Sequence, residues 1–570
     1  MDLVEIAEGG EYLVIKFHSW HILLICPLVF LPAGWLRAQV NPVRFQGSLN
    51  VSGELYSSSG VPARRPGSSA RAIFAPTITL FDQISLPFEF YVTNQDRGFH
   101  QPFNQFGVNP RLWGWLTLHA GYFSSRISDL TFGDQRLVGG GAELTPGKFR
   151  LSVLYGRSQQ AVAADTIQHI SGTYERTMLA ARIGYGLESD WFVDLNFLHA
   201  IDDSSSLRLP AFGTASDSIA SAYYQAPTEN AVASLTYGMS FAEHHLQIKG
   251  ETAISAFSND IRSARLSSAH FGIDPIFVVR TSSQVDGASL LSVNIVPSSV
   301  FSLSLSGRWV GPGFVTLGYA QLPNDVLEFT LGPSVRLFSG STNVKASFGM
   351  RYNNLRNNRL STTQRTIADI GVTSQVSQAF AFDVQYANFG MRSTPRNDTL
   401  RIDNIAQSFM LSPRYTFTKF GGTNVLVASY SRQDFTDFNI VSGNLTSNNV
   451  NSGVLSWTLA LPSSYSFSTT LLYTAAATSA VSTTIKGVSE TVGRSFLANL
   501  LTTSLTLGYN YYTVNTTSGQ FNGRVSASYN TRGWGTFTLM LTNNRFTYSD
   551  PASGTSYREY QGSLMYSIHF

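Results

Sequence analysis

Eight charged side chains are candidates for one wetted wall: Arg308, Glu328, Arg336, Lys345, Arg351, Arg365, Asp383 and Arg414. Lys345 and Arg351 oppose the apolar set Val344, Ala346, Phe348 and Met350 in a period-two reading, and Glu328 and Arg336 oppose Leu327, Phe329, Leu331 and Val335. Arg308 shares its parity with Ser304 and Ser306, and Arg414 shares its own with Ser408 and Ser412. From Arg336 to Arg432 the chain carries twelve Lys or Arg against four Asp, a local +8. Fixed cations along a wet surface attract anions and turn cations away, so the chemistry this pattern supports is selection of anionic solutes or retention of an acidic partner. A second placement of the same tract sends Arg356, Arg359, Arg392, Arg396 and Arg401 into outer loops, against lipopolysaccharide phosphates.

Bond-breaking chemistry finds little support. His244 and His245 fall in a short turn, and His119 and His199 are isolated among many serines. Asp202 and Asp203 open a long loop, where they either bind a divalent cation or stand solvated. Gly139, Gly140 and Gly141 have no helix after them, so they suit a bend in a strand and form no phosphate loop. The single cysteine, Cys26, lies in an N-terminal apolar run. The expectation is a non-enzyme with no catalytic set, no cofactor, no metal and no nucleic-acid partner.

The elements that carry the charges are strands. Phe301, Leu303, Leu305 and Trp309 interleave with Ser302, Ser304, Ser306 and Arg308; Tyr465, Phe467, Leu471 and Tyr473 interleave with Ser466, Ser468 and Thr470. No sustained helical period follows residue 40. Only 13% of residues are charged, against roughly 25% in soluble proteins, and mean hydropathy is close to zero, which excludes a bundle of membrane helices. A soluble sandwich would place Lys and Glu on its exposed parity; here that parity is Ser, Thr, Asn and Gln, as on a water-filled lumen. A charge on a lipid face would cost roughly 2–4 kcal/mol at the midplane, which favours inward pointing.

Short turns alternate with longer polar stretches. Turns are expected near Phe81–Gln83, Asn109–Pro110, Thr145–Gly147, Leu187–Asp190, Glu243–His244, Pro297–Ser299, Ser339–Ser341, Gln375–Gln378, Lys419–Gly422, Pro462–Ser464 and Thr531–Gly533. The longer stretches are 57–70, 123–135, 159–172, 202–228, 257–285, 311–324, 392–404, 433–447, 478–486 and 548–556. With a strand over 102–108, this predicts a single antiparallel transmembrane β-barrel of about 26 strands, an all-β fold with short periplasmic turns, long outer loops and both termini in the periplasm. In the final strand Tyr560, Leu564, Tyr566, Ile568 and Phe570 share one parity, and Tyr566, Ile568 and Phe570 look like the barrel-closing and insertion signature of outer-membrane proteins. Trp113, Trp115, Trp191, Tyr511 and Tyr512 suit interface girdles. Residues 1–38 read as a cleaved signal peptide, with an apolar run from Ile22 to Leu31 and Leu36-Arg37-Ala38 before the cut, leaving 39–570 as the barrel.

The stretch Phe103-Asn104-Gln105-Phe106-Gly107-Val108-Asn109-Pro110, then Trp113-Gly114-Trp115, resembles large plug-less, porin-like outer-membrane barrels of the Bacteroidetes type. So do Tyr352-Asn353-Asn354-Leu355, Thr363, Arg365, Tyr386 and Asn388-Phe389. The resemblance implies an outer-membrane location and the barrel fold, and brings no defined substrate and no catalytic residue. The function expected is passage of solutes or a larger cargo through a lumen partly lined by basic residues. So wide a barrel would leak, so loops 202–228 and 257–285 fold inward or a partner protein plugs it. The alternative is a non-conducting assembly barrel that binds other envelope proteins. Expected partners are membrane lipids, lipopolysaccharide, the outer-membrane insertion machinery and a plug or envelope protein.

Overall fold

The computed structural model describes residues 43–81, 83–94, 105–133, 135–163, 171–207, 225–266, 276–395, 401–439, 446–478, 480–514, 516–550 and 554–570. The proposed signal peptide lies outside them. Alternating sequence becomes 27 strands among these residues, all in one antiparallel sheet in which chain neighbours pair. The first strand, Val43–Ser59, pairs with Ser68–Leu80 on one side and with the last strand, Tyr557–His569, on the other. Leu49 stands opposite Ile568 and Val51 opposite Tyr566. Beyond that ladder the Gly47 N–H donates to the Phe570 carbonyl at 2.7 Å and the Phe570 N–H to the Gly47 carbonyl at 3.0 Å. The sheet is therefore closed. Closure removes the unpaired edge, and in hydrocarbon each unpaired backbone group would cost several kcal/mol.

Two short strands, Gln105–Val108 and Arg111–Leu112, share one place between Ile84–Thr93 and Leu116–Ser124. The barrel thus has 26 strand positions, the number the alternation of turns and links requires. The turn expected at Asn109–Pro110 is instead an interruption within this strand, and the chain reverses at Trp113–Trp115. Pro110 has no N–H to give the ladder, while the Asn109 N–H still reaches the Pro87 carbonyl at 3.1 Å. The glycine run lies within the strand Arg136–Leu144. Gly139 pairs with Gly156 and Gly121, and a Cβ on Gly139 would lie 2.1 Å from the Tyr155 carbonyl oxygen, so close strand approach is what demands glycine.

One end of the barrel carries tight turns. Phe420 and Gly421 have φ of 55° and 72° between the paired Lys419 and Gly422, the two-residue hairpin geometry that matches strand twist. The other end carries the longer links. There a strand resumes at Ser482, so the stretch 478–486 shrinks to 479–481; a further link spans 353–360, and another joins the strands that end at Val514 and begin at Thr516. At the tight-turn end a further turn spans Leu497–Leu500. Among the girdle aromatics, Trp113 and Trp115 stack at 5.6 Å, and Trp191 and Tyr511 are exposed. Tyr512 is not with them. Adjacent strand residues point to opposite faces, and the Tyr512 hydroxyl donates to Gln520 at 2.6 Å beside Phe546.

Among the described residues the buried hydrophobic cluster lies on one side of the barrel. Phe123, Leu137, Leu154, Met178, Ala180, Leu198, Ala200, Val232, Ala253, Ala288 and Val310, from nine consecutive strands, form one buried cluster with Ile127, Leu130 and Phe132 of the link 125–135 and Phe314 of the link 311–325. Nine strands laid flat would span about 38 Å, too far for two short links to reach. Only the concave side of a closed sheet brings them together, so both links fold into the interior.

Candidate functional site: the two halves of the interior wall

Polar side chains of the wall hold the inward links in place. Glu251, 3% exposed, accepts from the backbone N–H of Asp129 at 2.8 Å and of Leu130 at 3.2 Å. Asn196 donates to Ser234 at 3.0 Å and to Thr236 at 2.9 Å, and Ser234 receives the Thr131 hydroxyl at 2.7 Å. Asn230 donates to the Val315 carbonyl at 3.0 Å and accepts from the Leu317 N–H at 2.9 Å. The two links also bind each other: Thr316 donates to the Thr131 carbonyl at 2.7 Å, and Gly133 to the Gly318 carbonyl at 3.1 Å.

The link 353–360 holds the second of them. Asp325, 1% exposed, accepts from the Leu355 N–H at 2.8 Å and stands 2.7 Å from Arg359 Nε. Asp286 accepts from the Gly313 N–H at 2.8 Å and pairs with Arg356 at 2.6 Å. Elsewhere on the covered half, ionised groups meet partners: Asp194 with Arg150 at 2.8 Å, Asp202 with Arg176 at 2.7 Å, and Glu143 with His119 at 2.9 Å and Ser125 at 2.6 Å. These contacts answer several questions at once. Asp202 is salt-bridged to Arg176 and Asp203 accepts from the Ser205 hydroxyl, and no group of three or more metal-ligating side chains occurs among the described residues. His119 bonds Asn109 and Glu143, and His199 bonds Glu229 at 3.2 Å; neither meets a serine.

Seven of the eight charged residues singled out from the sequence lie on strands beyond the nine of the buried cluster, and Arg308 lies on the ninth, Phe301–Val310. Residues paired across an antiparallel ladder share a face. Glu251 pairs with Leu290, Leu290 with Arg308, Arg308 with Glu328, Glu328 with Arg351 and Arg351 with Arg365. Arg336 pairs with Asn343 and Lys345 with Ser334 and Gly371; Asp383 pairs with Thr373 and Ser412, and Arg414 with Ala381 and Val427. All eight therefore share the face that bears Glu251. None of the eight forms an ion pair among the described residues, whereas Arg356 and Arg359 do. Arg392 and Arg401 share Asp403, at 3.8 and 3.1 Å, and Arg396 lies outside the described residues.

The strands beyond the buried cluster's nine carry open, polar-lined space. A cavity of about 630 Å³ is lined by Asn343, Thr373, Gln375, Asp383, Ser412 and Arg414 among others. A second, of about 730 Å³, is lined by residues that include Ser52, Glu54, Arg71, Thr93, Gln561 and Ser563. Sequence reasoning missed the link-holding residues Glu251, Asn230, Asp286 and Asp325. Parity marks Glu251, Asn230 and Asp286 as wall residues and Asp325 ends the link 311–325, but their partners are backbone groups of other links, for which periodicity has no signal. Of the links expected to fold inward, 202–228 and 257–285, the segments 208–224 and 267–275 lie outside the described residues; the links seen to fold inward are 125–135 and 311–325.

No protein-family model and no curated protein matches this chain. Among solved structures, the P pilus usher (PapC) translocation pore is similar with a TM-score of 0.38 and 12% identity, covering 92% of this chain and 99% of its own. The ferric enterobactin receptor (PfeA) mutant from Pseudomonas aeruginosa gives 0.39 and 8%, covering 92% and 80%. The outer membrane protein opdK from the same organism gives 0.29 and 7%, covering 60% and 94%. The likeness is one of barrel architecture.

Proposed function

We propose that this chain is an outer-membrane channel whose conduit is the uncovered half of the interior. The observation that carries this reading is the asymmetry of the wall: packed links cover one half, while the other presents polar cavities and unpaired basic side chains. The apolar outer face, with Leu505, Leu507, Val525, Leu541 and Leu564 among its exposed residues, supports a lipid surround. In this reading the tight turns face the periplasm, the longer links face outward, both chain ends are periplasmic, and residues 1–38 direct export. Tyr566, Ile568 and Phe570 present the closing strand to the insertion machinery, and the lipid belt and outer rim meet lipid and lipopolysaccharide. Arg308, Arg336, Lys345, Arg351, Arg365 and Arg414, against Glu328 and Asp383, bias the conduit toward anions. Solutes small enough to pass beside the links are the natural cargo.

Single-channel conductance of the folded protein in planar bilayers tests the reading. A steady, anion-selective conductance is expected, and Arg351→Glu is expected to weaken the selectivity. The density of side chains under the two links favours a second reading, a non-conducting assembly barrel that binds envelope proteins. Electrical silence from protein shown to be folded and inserted would replace the first reading with the second.

A further inference from the structure

Arg351 and Arg365 face each other directly across their ladder. Like charges so placed repel and destabilise a sheet. Neither has an ion-pair partner among the described residues, although Arg351 also neighbours Glu328 in register. Both residues line a small cavity of about 90 Å³, together with Arg359, Asn324, Asn353, Thr363 and Val326. That volume holds roughly three waters, the size of one small oxyanion with a little solvent. The lining supplies donors in excess. Each guanidinium has five N–H groups and the Asn353 amide two, while the Asn324 amide is bonded to the Pro312 and Phe314 carbonyls. Arg359 Nε lies 2.7 Å from Asp325, so this carboxylate offsets part of the cationic charge at the cavity. In the same cross-strand row, Arg308 Nε is buried without a hydrogen-bond partner, and Glu328 stands between Arg308 and Arg351 in register.

The site's place in the fold gives it a purpose. Asn324 belongs to the inward link 311–325, Asn353 and Arg359 to the link that holds it, and Arg351 and Arg365 to the wall. Planar guanidinium forks recognise carboxylate and phosphate in two-point fashion. We infer that Arg351, Arg365 and Arg359 form a docking site for one oxyanion, a carboxylate or phosphate group of a free solute, at the link-bearing mouth of the barrel. Its use as a first station for cargo rests on the channel reading; the binding itself does not.

The test separates the two. The detergent-folded, lipopolysaccharide-free protein is titrated calorimetrically with inorganic phosphate and with acetate, alongside R351Q, R365Q and R365K. One saturable site per barrel is expected, weakened about tenfold or more in each glutamine variant, as loss of a charge-assisted bond implies, and weakened less in R365K. Retained heat-modifiable gel mobility verifies that each variant is folded. Absence of saturable binding, or binding unchanged in both glutamine variants, overturns the site. Phosphorus carried by the purified wild type as lipopolysaccharide and lost in R351Q and R365Q would make the ligand a lipid headgroup and overturn the free-solute assignment. Silent bilayers with intact phosphate binding would end the channel reading and leave the site standing; conductance without binding would do the reverse.

Discussion

Glu251 shows what one residue does to a wall of this kind. A carboxylate on an inner strand satisfies two backbone N–H groups of a link more than a hundred positions away, and it does so almost without solvent. Bonds to a charged group contribute about 1.5–3 kcal/mol. Glu251→Ala is therefore expected to destabilise the folded barrel by about that much in urea unfolding followed by gel mobility, with Glu251→Gln, which keeps an acceptor, costing less. Equal costs for the two variants would show that the carboxylate's bonds to the link matter little. Phe570 makes a smaller contribution of another kind. It stacks on Phe45 with ring centroids 5.0 Å apart and lies 6.2 Å from Phe74. Such pairs are worth about 0.5–1.5 kcal/mol beyond their area, and Phe570→Ala should lower stability in that range, provided folded protein is obtained.

At the scale of the element, the two inward links behave as one unit. Phe132 and Gly318 form a parallel bridge, and a Cβ on Gly318 would lie 2.2 Å from the Thr131 carbonyl oxygen and 2.9 Å from the Phe132 Cα. Gly318→Val cannot be accommodated without separating the links. In the channel reading this variant should conduct more than wild type, while its circular dichroism still reports the full β-sheet. A change in the spectrum would mean that the links are needed for the barrel to form. Phe314 and Phe132 are almost wholly enclosed in the covered half. Truncating either to alanine should cost about 3–5 kcal/mol, measured by the same unfolding assay, a core-like penalty inside what the sequence presents as loops.

For the whole molecule the decisive property is that one face meets lipid and the other water. Leu564, 53% exposed, and its chain neighbour Ser563, which lines the polar cavity near Glu54, lie on opposite faces of the closing strand. Leu564→Arg should cost about 2–4 kcal/mol in lipid bilayers if it sits near the midplane, and Ser563→Arg much less. Similar penalties at both positions would contradict a lipid-embedded barrel. Closure itself depends on the pairing of Val43–Ser59 with Tyr557–His569, the longest separation in sequence of any ladder in the fold.

The class of fold, the closing strand and the count of 26 strand positions were legible in the sequence, because side-chain parity and turn composition are local and a closed barrel with alternating connections repeats them. Phe301-Ser302-Leu303-Ser304 states its two faces without any neighbour. The common face of Arg308, Glu328, Arg351 and Arg365 was legible for the same reason. Local signals failed where backbone chemistry interrupts the repeat, as at Pro110, and where two adjacent aromatics, Tyr511 and Tyr512, had to part to opposite faces. What only the tertiary structure decided is the interior. The burial of Phe132 and Phe314, the bonds that Glu251, Asn230 and Asp325 make to distant links, and the meeting of Arg351, Arg365 and Arg359 at one cavity all join segments far apart in the chain. Such contacts are set by curvature and closure, which bring distant strands within reach of a short link, and no periodicity along the chain encodes them.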